Sequence, residues 1–338
     1  MKNVTLGAMN GLLESIDPYA SYLNADQYKQ YLKSKDGAKK ADIGLVLAKR
    51  LGYMAVEDAI PGSPAALAGF ATGDVVESIN NVSTRDMPLA FAALLLEGDA
   101  GTPVELGVIR VRRSEPSKMM VTRALVATPP VTGRLEGKAG IIAVPGLQTG
   151  RAKEVAAQIA SLAKEGATRF VLDLRHCSTG SDDEGVALAG LFMDSGLIAY
   201  TQGQKQARQD FRAMNHAVTQ APLALIVNRS TAGGAEIAAA ALLNSKRAQL
   251  IGERTYGDAA VRKTLALNDG AAVILSVAKY YSPDGKAIQD NGVTPNVLQA
   301  EDSAAELSDD LPDAVQDDTA KKPSADELLH KAIESLPQ

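Results

Sequence analysis

The chain has 338 residues, 46% of them hydrophobic and 22% charged, a length that fits two or three domains and a composition that excludes wholesale disorder. Thirty-five basic against forty acidic residues, a net charge of −5 and no tryptophan offer neither a phosphate-tracking groove nor a stacking platform, which argues against nucleic acid as a partner. A single cysteine, Cys177, rules out an intrachain disulfide and leaves the core to apolar packing.

Residues 11–16 and 19–32 are expected to form two short helices, with Asp17 capping the second and Pro18 in its first turn. A Lys-, Asp- and Gly-rich linker follows over 33–40. From 43 to 131 the pattern changes to short β-type runs, at 43–47, 53–56, 75–79 and 104–109, separated by turn signals. A turn, a short helix and a glycine stop are read over 61–69, and a second helix over 88–96. Two helices on a small barrel are the expected result. Residues 133–138 approximate a phosphate loop but fail on spacing, with three residues between the glycines and Ala139 where a hydroxyl is needed.

Beyond Ala139 strands alternate with helices: strands at 141–144, 170–174, 223–227 and 249–252, helices near 151–166 and 234–243. Such alternation predicts an α/β layer with a partly parallel sheet. Ligands of such sheets sit beyond the strand C-termini, which points to the loops 175–185 and 228–236. Residues 301–318 carry eight acids and no base, the composition of a solvated linker. Ser324 with Glu327 reads as a capping box ahead of a helix with Leu328, Leu329, Ile333 and Leu336 on one face. The longest apolar stretches, 87–96 and 237–243, fall short of the roughly 20 residues that cross a bilayer. No basic segment followed by an apolar one opens the sequence, so the chain is expected to be cytosolic or to have had its targeting segment removed.

Six separated motifs in order resemble the carboxyl-terminal processing peptidases, the tail-specific serine proteases in which a PDZ domain is inserted before an α/β core. They are residues 12–23 with Asp17-Pro18; Gly62-Ser63-Pro64-Ala65 with Ala68-Gly69 and Gly73-Asp74; Asp173-Leu174-Arg175; Val227-Asn228; Glu236-Ile237; and Tyr280-Tyr281-Ser282-Pro283-Asp284-Gly285. The resemblance implies an α/β fold with a core of the crotonase-like, tail-specific protease type, an inserted PDZ domain and terminal helices. The implied boundaries are 1–40 for the N-terminal helical segment, 41–131 for the PDZ domain, 132–300 for the core, and 301–338 for the acidic linker and last helix. It also implies the periplasm or cell envelope.

The family's chemistry needs a serine at a helix start, a lysine of lowered pKa as its base, and a glutamine beyond the lysine. Its Ser-Ala-Ser-Ala-Ser-Glu-Ile run aligns on residues 231–237 and sets the nucleophile on Gly233, while its Phe-Gly-Lys-Gly-Thr-Val-Gln run sets the base on Asp258 and the glutamine on Arg262. Glycine offers no attacking atom and arginine no neutral base. The resemblance therefore implies a serine endopeptidase fold without its dyad. Ser230 and Thr231, just before the lost nucleophile, are expected as caps, with a displaced nucleophile as the alternative. Asp258 and Arg262 are expected as a surface ion pair, with Lys263 facing away.

His176 and Cys177, adjacent in an extended segment, point to opposite sides and make no thiolate dyad. His176, His216 and His330 are scattered without metal-ligand spacing, so no metal or other cofactor is expected. The oxyanion loop falls on residues 176–180, with Thr179 where the family has glycine and Gly180 retained. N–H groups at Gly233 and Gly234 are expected to face out from the helix start. Ile43, Gly44, Leu45 and Val46 resemble the PDZ carboxylate-binding loop, with Leu89 as a pocket wall. The reading is a pseudoprotease that binds peptide or protein C-termini, partnering an active protease or itself. A dimeric scaffold with both sites vestigial is the third possibility.

Overall fold

The structure is a computed structural model that describes residues 2–17, 19–36, 40–50, 52–110, 116–214, 216–300 and 326–337. The N-terminal segment gives α1 (Lys2–Ile16), β1 (Ser21–Leu23) and α2 (Ala25–Asp36). The expectation that Asp17 caps the second helix is incorrect: Asn24 and Gln27 cap α2 reciprocally, side chain to backbone, at 3.0 and 3.1 Å. Residues 21–23 are strand instead, because they pair with a strand some 250 positions later. The Asp17 carboxylate accepts the N–H groups of Tyr19 and Ser276 at 3.0 and 2.7 Å. Pro18 lies outside the described residues, and the proposed linker is helix as far as Asp36.

The second segment is a six-stranded sheet of β2 (Leu45–Arg50), β3 (Tyr53–Ala59), β4 (Val75–Ile79), β5 (Val82–Ser83), β6 (Pro103–Ile109) and β7 (Ser117–Thr122), in the order β2-β3-β4-β6-β7 with β5 on β4. Its helices are α3 (Pro64–Leu67), capped by the Ser63 hydroxyl, and α4 (Leu89–Leu96). Met54, Val56, Ile79, Leu106 and Val108 fill its core.

The third segment holds β8 (Thr132–Glu136), β9 (Ala139–Ala143), α5 (Arg151–Lys164), β10 (Arg169–Asp173), α6 (Asp182–Gly190), β11 (Leu197–Gln202), β12 (Gln209–Arg212), β13 (Leu223–Val227), α7 (Gly234–Asn244), β14 (Gln249–Gly252), β15 (Ala260–Ala266), β16 (Ala272–Tyr281) and β17 (Val297–Leu298). The order β17-β14-β13-β10-β9-β8 is parallel except for β8. All five residues of β13 are buried, the mark of a strand covered on both faces. One face carries α5, α6 and α7; the other carries α8 (Glu327–Glu334) through Leu328 and Leu329, with Leu336 just beyond its end. Asp326 caps α8, accepting the Leu329 N–H at 3.0 Å, whereas Ser324 and residues 301–318 lie outside the described residues. Nine consecutive residues of α7, 234–242, are buried because a second sheet, β1-β16-β11-β12 with β15 beside β16, closes over it.

The N-terminal segment ties the other two together. Its β1 completes the edge of β16, Ser21 Oγ accepts the Ala90 N–H at the start of α4 at 3.2 Å, and Ser34 on α2 donates to Glu97.

Candidate functional site

The parallel strand β13 ends in a turn that delivers Gly233 to the N-terminus of α7 with φ 59° and ψ −127°. This left-handed conformation is open to glycine and strained for any side chain. Space is not the obstacle, since a Cβ placed there meets nothing nearer than Asp258 O at 3.7 Å and Asp182 Oδ1 at 3.9 Å. The turn is thus a sharp strand-to-helix elbow occupied by a residue that has no side chain.

Glu236, fully buried, fixes the elbow. Its carboxylate accepts the N–H groups of Gly233, Gly257 and Asp258 at 3.2, 2.7 and 2.8 Å, and the Thr255 hydroxyl. Burial nonetheless outweighs these donors and pushes its pKa up to about 8. Because Gly233 N–H is used in this way, the expectation that it faces out as an anion site is incorrect. Gly234 packs against the start of α6, where a Cβ would press on Ser181 O at 2.6 Å.

Asp258 and Arg262 do form an ion pair, but not at the surface: their side chains are 19% and 29% exposed, and the guanidinium lies 4.3 Å from the Tyr19 ring centroid. Lys263 points to solvent. Thr231 and Ser230 do not cap α7. Thr231 Oγ1 accepts the Asn228 N–H at 3.0 Å and donates to Leu174 O at 2.9 Å, which locks the turn to β10's exit. The Ser230 hydroxyl meets Thr72 Oγ1 from the second segment.

In the loop after β10, Gly180 has φ +124° and lies so close to Leu147 that a Cβ would collide with its backbone. Thr179 is turned toward Gln148, whose amide donates to its hydroxyl at 2.9 Å. His176 and Cys177 point apart: Cys177 is buried with its thiol pushed up by burial, while His176 Nδ1 lies 2.8 Å from Asp58 Oδ1. Ser178 Oγ donates to the other oxygen of Asp58 at 2.7 Å. Among the described residues no group of three or more His, Cys, Asp or Glu could hold a metal.

In the second segment Ile43 is fully buried, and Leu45, Val46 and Leu89 are half-buried beside the β2 edge. Gly44 donates its N–H to Asp42 Oδ1 at 2.6 Å. Sequence reasoning missed Asp58, Thr72, Arg50 and Tyr19. Tyr19 and Thr72 lie within the motif segments and Arg50 and Asp58 outside them, but in each case only tertiary packing brings the residue to the elbow.

The model for Peptidase family S41 matches residues 138–299, and that for the PDZ domain matches residues 56–110. A carboxyl-terminal-processing protease of Picosynechococcus is 32% identical over 297 residues, covering 86% of this chain and 71% of that protein. The chain belongs to the carboxyl-terminal processing protease family. The carboxy-terminal processing protease CtpA of Bacillus subtilis is 31% identical, with 86% of this chain and 63% of that protein covered. For carboxyl-terminal-processing peptidase 2, chloroplastic, of Arabidopsis thaliana, the figures are 33%, 83% and 57%. The solved photosystem II D1 C-terminal processing protease superposes with a TM-score of 0.79 at 26% identity, covering 89% of this chain and 83% of that one. The second segment is thus the PDZ segment of a processing-protease fold, and it lies against the elbow of the core. No described helix is long and apolar enough to cross a membrane.

Proposed function

We propose that this processing-protease homologue holds peptide or protein C-termini through its PDZ segment and does not cut them. The observation that carries the reading is the elbow: Gly233 supplies no nucleophile, and the two positions aligned with the family's base and glutamine, Asp258 and Arg262, are engaged with each other. The hydroxyls beside the elbow do not favour a displaced nucleophile. Thr231 is consumed by two buried backbone bonds, and Ser230 is covered by Thr72.

The hydrogen bond from the Gly44 amide to the Asp42 carboxylate supports this reading, because a carboxylate already occupies the amide that a terminal carboxylate would use. A ligand's C-terminus replaces that contact and adds a strand at the free edge of β2. The natural partners are protein tails in the periplasm or cell envelope, with an active protease or a second copy as companion.

The test is incubation with an unfolded substrate ending in small apolar residues, with cleavage followed by mass spectrometry and binding by calorimetry. Binding without cleavage is the expected result. Cleavage that Ser230→Ala with Thr231→Ala abolishes overturns the reading.

A further inference from the structure

The contact between the PDZ segment and the core contains more negative charge than it can hold. Opposite β3 the partner strand shifts register between Val46, which pairs with Asp58, and Leu47, which pairs with Val56, so Glu57 is the extra residue of a bulge. That bulge lets two consecutive acids, Glu57 and Asp58, both be buried, at 2% and 1% exposure, instead of one facing out.

Asp58 is satisfied by His176 and Ser178 of the core. Glu57 is not so served. The charged groups that face it are Asp258, Glu236 and Arg262 from the core and Asp58 on its own strand, with Tyr19, Tyr256 and Arg50 around them. The Arg262 guanidinium is closed on Asp258, and Arg50 is taken by Tyr256, to whose hydroxyl it donates at 3.2 Å. Three carboxyl groups, the buried Glu57 and Glu236 and the partly buried Asp258, therefore cluster around one partly buried guanidinium.

We propose that Glu57 is a proton-operated latch: closure of the PDZ segment on the core takes up a proton at Glu57, so acid holds the two together and rising pH parts them. In taking the PDZ segment as the ligand-binding unit, the latch rests on the reading above. In the closed form, burial first and then Asp258 and Glu236 hold the Glu57 carboxyl well above its usual range. When the segment lifts, Glu57 meets water and titrates as an ordinary carboxyl near about 4.3.

A group that binds its proton more tightly in the closed form favours closure fully below the ordinary pKa. That advantage is lost as pH rises toward the raised one, at up to about tenfold in the closed-to-open ratio per pH unit.

The test uses the full chain with spin labels at Leu67→Cys in the PDZ segment and Met214→Cys in the core, both positions 82% exposed, with buried Cys177 left unlabelled. Without peptide, one short distance is expected at pH 5 and a growing longer population toward pH 8, while Glu57→Gln keeps the short distance throughout. A pH-invariant distribution in the parent, or a Glu57→Gln variant with the parent's response, overturns the latch. Should Glu57→Gln fail to fold, Asp258→Asn frees Arg262 for Glu57 and is expected to flatten the response; an unchanged response overturns the proposal. Calorimetry with an apolar-tailed peptide at each pH separates the two readings. Peptide binding with an invariant distance overturns the latch alone, and a pH-dependent distance without binding at any pH overturns the ligand-binding reading alone.

Discussion

Asp42 Oδ1 accepts the Gly44 amide proton at 2.6 Å, so the amide proposed to hold a ligand's terminal carboxylate is held by a carboxylate of the chain itself. On the proposed function an incoming C-terminus would meet a like charge there. Asp42→Asn is expected to raise affinity for an apolar-tailed peptide several-fold, on the order of 1 kcal/mol, read by calorimetry. Unchanged or weaker binding would show that the carboxylate lands elsewhere.

Gly233 sits where a side chain fits but the backbone resists. Gly233→Ala is expected to lower stability by about 1–3 kcal/mol in urea unfolding while leaving the circular dichroism spectrum unaltered. A stability gain would mean that the elbow relaxes freely.

The two hydroxyls before the elbow differ in what they hold. Thr231→Val removes the partner of the buried Asn228 N–H and is expected to cost about 1–3 kcal/mol, whereas Ser230→Ala loses one bond across the PDZ contact and costs about 0.5–1.5 kcal/mol. Reversal of that order in denaturant titrations would contradict the roles assigned to them.

Asp182 faces the elbow and is pushed up to about 6, by burial first and then by the charge of Asp258. An acid whose pKa rises on folding binds its proton more tightly when folded. Its contribution is favourable below the ordinary value near about 3.9 and is lost as pH climbs to about 6. Unfolding free energy is expected to fall across that window by up to about 1.4 kcal/mol per pH unit, and Asp182→Asn to flatten the fall. A parent and variant with parallel pH profiles would remove Asp182 from the account.

What the sequence made legible follows from where each signal lives. Strand β13 is a continuous apolar run because helices cover both faces of its sheet, and a local window captures that. The second sheet gave no such signal: β15 turns residues 263–266 to solvent, and β1 is a strand only because β16 lies beside it. Asp17 shows the same limit, since an Asp-Pro step reads locally as a helix start while its carboxylate is claimed by Ser276. At the site, Gly233, Asp258 and Arg262 could be found from the motifs because they lie within the matched segments. Glu57, Asp58 and Thr72 could not, because strand β3 and the turn before β4 present them across a contact that no spacing encodes.

Glycine at the elbow also bears on what a single change could gain. A side chain at position 233 puts into the turn a strain that glycine does not carry, and the neighbouring Asp258 and Arg262 are closed on each other. Gly233→Ser alone adds that strain beside a carboxylate engaged with arginine, and brings no base with it. Position 233 is in that sense a ratchet tooth: only Gly233→Ser made together with Asp258→Lys and Arg262→Gln supplies both a hydroxyl and a lysine and glutamine around it.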